Sequence, residues 1–540
     1  MSRERTSQRD PQNTQAWLIG SGIASLSAAV HLIHDGKVPA NNIHLLDVHP
    51  GTGGAIKSCG DAENGYFLYS GGCLPYFHDR CVEELLSLVP STENPDKSLL
   101  DGIREDEISN PPQKAAVTRL LKQENDGPHR VESESLQIGF RFRFDLIKIM
   151  LDSEKDLSGR IEEHLSKEFF DTTFWTLWST AFALQPWHSI LEFRRSLRKH
   201  LGDIDNLNNV RAIDRTKYTI YESIIQPITE YLKREGVNFK FGTKVSKLTL
   251  DEKAAHPTVT QIVMQDENNE DKVVTTTPDD LVMVTLGSTN SGSEMGSDRE
   301  APAAVASDLS GVLGSEWSLW NDLKQHGHGF GDPYSFTNPP PETHTSLETF
   351  TVTLQGSDFL RQYEQGTANK PGAGSLLSFI DSNWGLSISV PQQPVCPKQP
   401  SDVVVIWGYG LHPDKPGTFV PKTMRQCSGR EIFTEVLSHL GFPVDELLPK
   451  STTIPCLMPL ATAPLMSRGA EHRPKVIPNK SSNLALLGQY VDIPEDTTLS
   501  MEYSVRGAQL AVYSAMGLPK SPPKSRTHLL LNVLDLLGGV

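Results

Sequence analysis

Apolar residues fall into short runs separated by polar, glycine-bearing segments, and the first run sets the frame for the rest. Ala16-Trp17-Leu18-Ile19 is unbroken, closes on Gly20-Ser21-Gly22, and continues into Ile23-Ala24-Ser25-Leu26-Ser27-Ala28-Ala29-Val30. This order predicts a buried strand, a tight turn and a helix rich in small residues. Asn42-Ile43-His44-Leu45-Leu46-Asp47 predicts a second strand ending in a carboxylate. A helix is expected over 76–89, a polar proline-bearing loop region over 90–135, and further helices over 144–200. Residues 222–235 predict a helix stopped at Gly236, followed by a strand pair through Val245. A polar stretch over 251–280 leads to a buried strand at 281–287, then a flexible Ser/Gly-rich loop at 288–312. Strands are expected at 376–379, 386–390 and 403–407, with a helix at 429–440. Residues 482–489 read as a buried strand ending in glycine, and 503–511 open a helix with small residues on one side. The leucine-rich tail, 527–540, carries no basic face. It suits an amphipathic helix docked on the protein or on a second subunit rather than on lipid.

Candidate chemistry begins at the first turn. Gly20 permits the sharp turn, Gly22 lets a pyrophosphate approach the backbone, and the first helical N–H groups around Ser21, Ile23 and Ala24 face the ligand. Ser25 stands where the strict G-x-G-x-x-G pattern has its third glycine, and Asp47 stands where an adenosine ribose would present its hydroxyls. The pairs Gly53-Gly54 and Gly71-Gly72 suit a flat ring system lying against backbone; turn punctuation is the alternative. Gly488, Gln489 and Ser504 would hold a second part of the dinucleotide, with Val245 and Gly287 at neighbouring strand ends. The aromatic residues Phe169, Phe170, Phe174, Trp175, Trp178, Phe182 and Trp187 either pack a core or line an apolar tunnel.

At 540 residues the chain is too long for one core, and two or three domains are expected. A net charge of −16 argues against nucleic acid, which needs clustered Lys and Arg. The six cysteines (Cys59, Cys73, Cys81, Cys396, Cys427 and Cys456) form no C-x-x-C pair and no metal-ligand cluster, so a reducing, cytoplasmic setting is expected and no metal. No run reaches the ~18 apolar residues of a membrane span, an expectation compatible with peripheral membrane contact.

Together, several motifs resemble the FAD-binding oleate hydratases, also called the myosin-cross-reactive-antigen family, over nearly the whole chain. They are Gly20-Ser21-Gly22, Gly53-Gly54, Gly71-Gly72, Phe182-Ala183-Leu184-Gln185-Pro186-Trp187-His188-Ser189 and Glu192-Phe193-Arg194-Arg195. Lys217-Tyr218, Tyr221-Glu222-Ser223, Trp407-Gly408-Tyr409-Gly410-Leu411, Cys456-Leu457-Met458-Pro459 and Glu502-Tyr503-Ser504-Val505-Arg506-Gly507-Ala508-Gln509 complete the set. The resemblance implies FAD, a homodimer, and an α/β fold with a Rossmann-like domain of the glutathione-reductase type. A large inserted substrate domain and helical additions would complete that fold. The expected division is a disordered 1–15; a discontinuous FAD-binding domain at 16–75, 205–290 and 455–520; a helical substrate or lid region at 76–204; a substrate domain at 291–454; and a tail at 521–540.

The family reaction adds water to an isolated double bond of an unsaturated fatty acid without net redox change. The resemblance places the water-handling glutamate of the family at Leu74, within Ser70-Gly71-Gly72-Cys73-Leu74-Pro75, and its proton-donating tyrosine at Ser196. The residues that hold the substrate carboxylate map to Ile220, Ser389, Pro391 and Val395. Leucine can neither donate nor accept a proton, and serine is a much weaker acid than tyrosine. An apolar cradle forfeits charge-assisted hydrogen bonds to a carboxylate. The expectation is an FAD-dependent enzyme acting on an apolar unsaturated lipid or a polyketide- or terpenoid-like substrate, by isomerisation or hydration. Tyr76, His78, Cys73, Ser196 and His188 are the candidate acid–base residues. An oleate-type fatty acid hydratase, an FAD-dependent oxidoreductase and a non-catalytic flavin-binding relative are the alternatives.

Overall fold

Five parallel strands form the sheet on which the chain is built, in the order Leu484–Leu487, Leu281–Thr285, Ala16–Ile19, Ile43–Leu46, Asn238–Lys240. The computed structural model describes residues 9–68, 80–110, 116–131, 138–201, 216–251, 256–266, 268, 270–304, 309, 313–340, 344–373, 376–498, 500–524, 533 and 536. Parallel sheets are covered on both faces, which is why these strands are apolar without alternation. Helix α1 (Ile23–His34) starts at the turn after the central strand and is buried from Ile23 through Leu32. The helix Met501–Ala515 packs on it. Helices α2 (Arg80–Leu88) and α3 (Leu99–Ser109) join the same core.

The second body is an eight-stranded sheet centred on Leu347–Gln355, which pairs antiparallel with Val403–Gly410 on one side and Ser451–Met458 on the other. Phe350, Val352 and Leu354 point into an apolar core under the helix Gly429–Leu440. A third core gathers α4 (Phe140–Leu151), α5 (Thr173–Phe182) and α6 (Ile190–His200). Among the described residues, no helix is long and apolar enough to cross a membrane.

Several segments depart from the sequence expectation. The stretch 90–135 contains α3, started by a Ser98/Asp101 capping box, and the hairpin Leu120–Glu124/Gly127–Val131. That hairpin joins the eight-stranded sheet through Leu377–Phe379. The described residues of 76–204 are therefore shared among three bodies rather than forming one helical region. The polar stretch 251–280 holds Thr258–Gln265 and Asp271–Thr275, which pair with Lys244–Asp251 in a three-stranded sheet. In the tail, Leu536 is buried in the third core and its carbonyl accepts from Arg143 (3.3 Å), so this part docks on its own chain.

Glu348, on the central strand, is fully buried, and neither carboxylate oxygen has a hydrogen-bond partner among the described residues. Burial pushes its pKa up to about 8, against an ordinary 4.5. The unfolded chain gives up this proton at lower pH than the folded one. Stability is therefore lost as pH rises from the ordinary value towards 8, by about 1.4 kcal/mol per pH unit. Glu348→Gln is expected to flatten that limb, gaining about 2–3 kcal/mol over two pH units relative to wild type. Denaturant unfolding at several pH values measures it, and a stability difference independent of pH would show the carboxyl to be ionised in the folded state.

Candidate functional site

The first turn is locked before any ligand arrives. Ser21 N–H donates to Asp47 Oδ2 (2.8 Å), the Ser21 hydroxyl donates to the same oxygen, and His49 N–H donates to Oδ1 (2.8 Å). Asp47 was expected to face a ribose; its first use is to tie the glycine turn to the end of the second strand, which leaves about one of its four acceptor sites open. Gly53 N–H donates to Ser21 O (2.9 Å), bringing the 49–54 loop over the start of α1. A Cβ on Gly54 would lie 3.2 Å from Gly22 Cα, and Gly54 has φ +55°. The two backbones approach as only paired glycines allow. Gly22 is the N-cap of α1 and no side chain caps it, so the first N–H groups are free for an anion. Ser25 Oγ lies 2.9 Å from Thr285 Oγ1, which explains serine at the third position: it ties α1 to the adjoining strand.

Gly20, Ser21, Gly22, Ile23, Ala24, Asp47, Gly53 and Gly54 thus form one patch at the carboxyl edge of the sheet. Thr243 N–H donates to Asp47 O (2.9 Å) and brings the buried Val245 strand alongside. Gly287 and Gly488 follow the ends of the neighbouring strands, joined by Leu286 N–H to Leu487 O (3.1 Å). Gln489 donates to Thr498 O (3.2 Å), and Ser504 lies in the first turn of Met501–Ala515. This constellation fits an adenine dinucleotide extended towards the second helix. Gly71, Gly72, Cys73, Leu74, Tyr76 and His78 lie outside the described residues. Tyr221, quoted above only within a family motif, also reaches this patch. Its ring carbons lie 3.1 and 3.2 Å from where a Gly53 Cβ would stand, and it begins a π-helical turn, Tyr221–Ile225. Such turns frequently mark functional sites.

A chain of buried ion pairs fastens α6 to the second half of this region. Glu192 lies 3.3 Å from Arg473, and Lys199 donates to Asp496 (3.2 Å) and to Ser500 (3.0 Å). Asp496 also accepts from Arg506 (2.7 Å). Glu502 accepts from Arg506 (2.6 Å) and from the N–H groups of Cys81 (3.2 Å) and Val82 (3.0 Å), at the start of α2. Ser196 stands four residues after Glu192 and three before Lys199, on the same helix face. It is fully buried, and its hydroxyl has no partner among the described residues.

His188 is fully buried; Nδ1 accepts from Gln185 N–H (3.0 Å), and its backbone bridges to Met466. Burial, with the nearby Arg468 charge, pushes its pKa down to about 3, so it is neutral at pH 7 and anchors the turn at Trp187. Most of the aromatic residues pack on one another: Phe169 contacts Phe170, Phe174, Trp175 and Phe193, and Trp178 stacks on Phe174. The positions mapped to a carboxylate cradle come partly together. Thr219 N–H donates to Val395 O (3.0 Å), joining the two segments by backbone, while the Ile220 side chain packs in the core of the five-stranded sheet and Val395 in a separate cluster with Tyr66 and Trp407. Ile220 and Val395 are both buried, and Ser389, two residues before Pro391, ends the strand Leu386–Ser389.

Comparison with known proteins supports the same grouping. The sequence profile of the MCRA family matches residues 13–513. An oleate hydratase of Streptococcus pyogenes serotype M49 (strain NZ131) is 32% identical over 530 residues, covering 94% of this chain and 86% of the relative. A linoleate hydratase of Lactiplantibacillus plantarum is 27% identical over 549 residues, covering 94% of each chain. In fold, the chain is similar to cyclohexylamine oxidase from Brevibacterium oxydans IH-35A (TM-score 0.53, 12% identity, 93% of this chain and 98% of that one). It is similar also to a putrescine oxidase (TM-score 0.53, 11% identity, 94% and 98%). The chain therefore belongs to the MCRA family, the FAD-dependent family that its glycine and aromatic motifs resemble.

Proposed function

We propose that this chain is an FAD-dependent enzyme that rearranges or hydrates the double bond of an apolar, unsaturated substrate other than a free fatty acid, without net redox change. The observation that carries this reading is that Ile220 and Val395, whose segments are joined by the Thr219–Val395 backbone hydrogen bond (3.0 Å), are both buried aliphatic residues. An ionised carboxylate desolvated against an aliphatic side chain at either position would lose several kcal/mol with no charge-assisted bond in return. A neutral acyl ester or a polyketide- or terpenoid-like skeleton meets no such cost. The glycine turn, Asp47 and the first N–H groups of α1 would hold the pyrophosphate end of FAD, with Gly53-Gly54 against its backbone-facing side. Bound FAD supplies a conjugated ring that can exchange a proton or a hydride. Ser196, buried and without a hydrogen-bond partner among the described residues, can orient a water or substrate oxygen from α6. At this position it is a weaker acid than a tyrosine would be, which favours an activated alkene or an isomerisation. The five described cysteines, Cys59, Cys81, Cys396, Cys427 and Cys456, are free, which supports a reducing, cytoplasmic setting. We expect a homodimer there.

Fatty acid hydration is the second reading, favoured by the 32% identity to an oleate hydratase. Incubating flavin-loaded protein anaerobically with oleate and with neutral unsaturated esters, while following flavin absorbance and products, separates the readings. Oleate is expected to emerge unhydrated from wild type, whereas Leu74→Glu combined with Ser196→Tyr should raise hydration at least about tenfold. Robust oleate hydration by wild type would make the hydratase reading the right one. Persistent flavin bleaching would instead indicate an oxidoreductase, and a protein unable to take up FAD would be a non-catalytic relative.

A further inference from the structure

The face of the eight-stranded sheet that meets the strand Gly65–Leu68 carries a buried donor with nothing to donate to. Trp407, on the strand Val403–Gly410, is 4% exposed, and its indole N–H has no hydrogen-bond partner among the described residues. Side chains alternate across a sheet, so Trp407 shares its face with Tyr409, the two ring centroids lying 5.4 Å apart. The same face holds the residues opposite Trp407 in the two adjoining ladders, Ser389 and Thr351. Thr351 is engaged by Leu68 N–H (3.0 Å), and the Tyr409 hydroxyl donates to Thr180 O. Ser389 is buried, at the spacing of an opposed pair, about 5 Å between Cβ atoms; even so, the indole N–H makes no bond to it. The surroundings are otherwise apolar: Leu376, Val395, Cys396 and Leu411 pack in the same cluster. Two connections tie this place to the cofactor region. Leu68 is followed in sequence by Gly71-Gly72, and Val395 O accepts from Thr219 N–H (3.0 Å), two residues before Tyr221, whose ring lies against Gly53.

We propose that Trp407 Nε1 and the Ser389 hydroxyl form a subsite for one neutral carbonyl oxygen of the substrate, that of an ester, a thioester or a ketone. This rests on the apolar, uncharged substrate proposed above and adds the polar group by which it would be held. An indole N–H can only donate, and a serine hydroxyl can donate as well, so the pair suits a single acceptor with two lone pairs. A desolvated donor left open is unfavourable, and a bound carbonyl recovers that loss. An ionised carboxylate would be stripped of water among Leu376, Val395 and Leu411 and would receive only two neutral donors in exchange. The fully buried guanidinium of Arg119 donates to Leu376 O at the margin of the cluster. An anion drawn towards Arg119 is therefore the competing occupant.

Calorimetric titration of flavin-loaded protein with methyl decenoate, decene and decenoate, three probes that share one chain, tests the proposal. Wild type is expected to bind the ester more tightly than either the hydrocarbon or the anion. Trp407→Phe keeps a ring and removes the N–H; it should weaken ester binding at least about tenfold and leave decene binding as in wild type. Ser389→Ala should weaken the ester in the same selective way. Binding of decene by wild type as tightly as the ester would overturn the proposal without any variant, leaving the N–H to a water. So would tighter binding of decenoate, which would mark an anion site at Arg119. Unchanged ester affinity in Trp407→Phe would overturn it too, and a loss of flavin from that variant alongside would assign the N–H to the cofactor. An ester preference that Trp407→Phe abolishes, in a protein that converts no alkene, would keep the subsite and remove only the proposed reaction.

Discussion

Replacing Gly54 by valine is expected to yield a folded protein that purifies without FAD. The added Cβ would lie 3.2 Å from Gly22 Cα, and φ at Gly54 is +55°, a region that costs a β-branched residue about 1–2 kcal/mol. Relief requires the 49–54 loop to move off the start of α1, and the Gly53–Ser21 hydrogen bond (2.9 Å) that holds it there would break. The opened turn no longer presents aligned N–H groups to an anion. FAD affinity should fall at least about 100-fold, equivalent to about 2.7 kcal/mol. Visible absorbance of the purified protein and titration of the apoprotein measure it. Gly51→Ala is the control, because a Cβ there meets nothing within 4 Å and flavin should be retained. Full flavin content in Gly54→Val would show that the dinucleotide lies elsewhere.

The second large effect is expected from Asp496→Asn. Asp496 is buried between Lys199 (3.2 Å) and Arg506 (2.7 Å), and also accepts from Thr497 N–H (2.8 Å). The amide keeps the shape and removes the charge shared by Lys199 and Arg506, of which Arg506 keeps its pair with Glu502 (2.6 Å); breaking this buried pairing costs about 3–5 kcal/mol. The carboxyl is held below its ordinary range even though burial, the largest influence, acts to raise it; the Lys199 and Arg506 charges outweigh that. A depressed folded pKa means the stabilisation is present above the unfolded value and fades as pH falls through the folded one. The gap between wild type and variant should therefore be full at pH 7 and narrow in acid. Unfolding curves at neutral and acid pH check this, and an undiminished gap in acid would assign the loss to packing alone.

The nucleotide-binding framework was legible because its signals are local. An apolar run, Gly20-Ser21-Gly22 and a small-residue segment each act within a few positions, and the strands at 16–19, 43–46, 281–285 and 484–487 appear where the pattern put them. The strand Leu347–Gln355 was missed because its alternation of Phe350, Val352 and Leu354 is interleaved with Thr349, Thr351 and Thr353, polar in sequence yet buried here. Two of those threonines accept from backbone N–H groups of the strand Gly65–Leu68, Thr353 from Tyr66 (2.8 Å) and Thr351 from Leu68 (3.0 Å). Such hydroxyls look solvent-facing until a partner is known. Asp47 was placed at the right strand end, but its commitment to Ser21 and His49 depends on how the turn folds back.

By itself, then, the order of residues determined that the chain has a Rossmann-like FAD-binding framework and which family it belongs to. Periodicity and turn chemistry act over a few residues, so they survive in a linear reading. Tertiary structure alone decided that the backbone before Ile220 bonds to Val395, that α6 is bolted through Lys199 and Asp496 to the segment that opens the helix Met501–Ala515, and that α4 leaves Phe140 and Phe144 exposed. Contacts between segments hundreds of positions apart are set by which surfaces pack together, and no spacing along the chain records that choice.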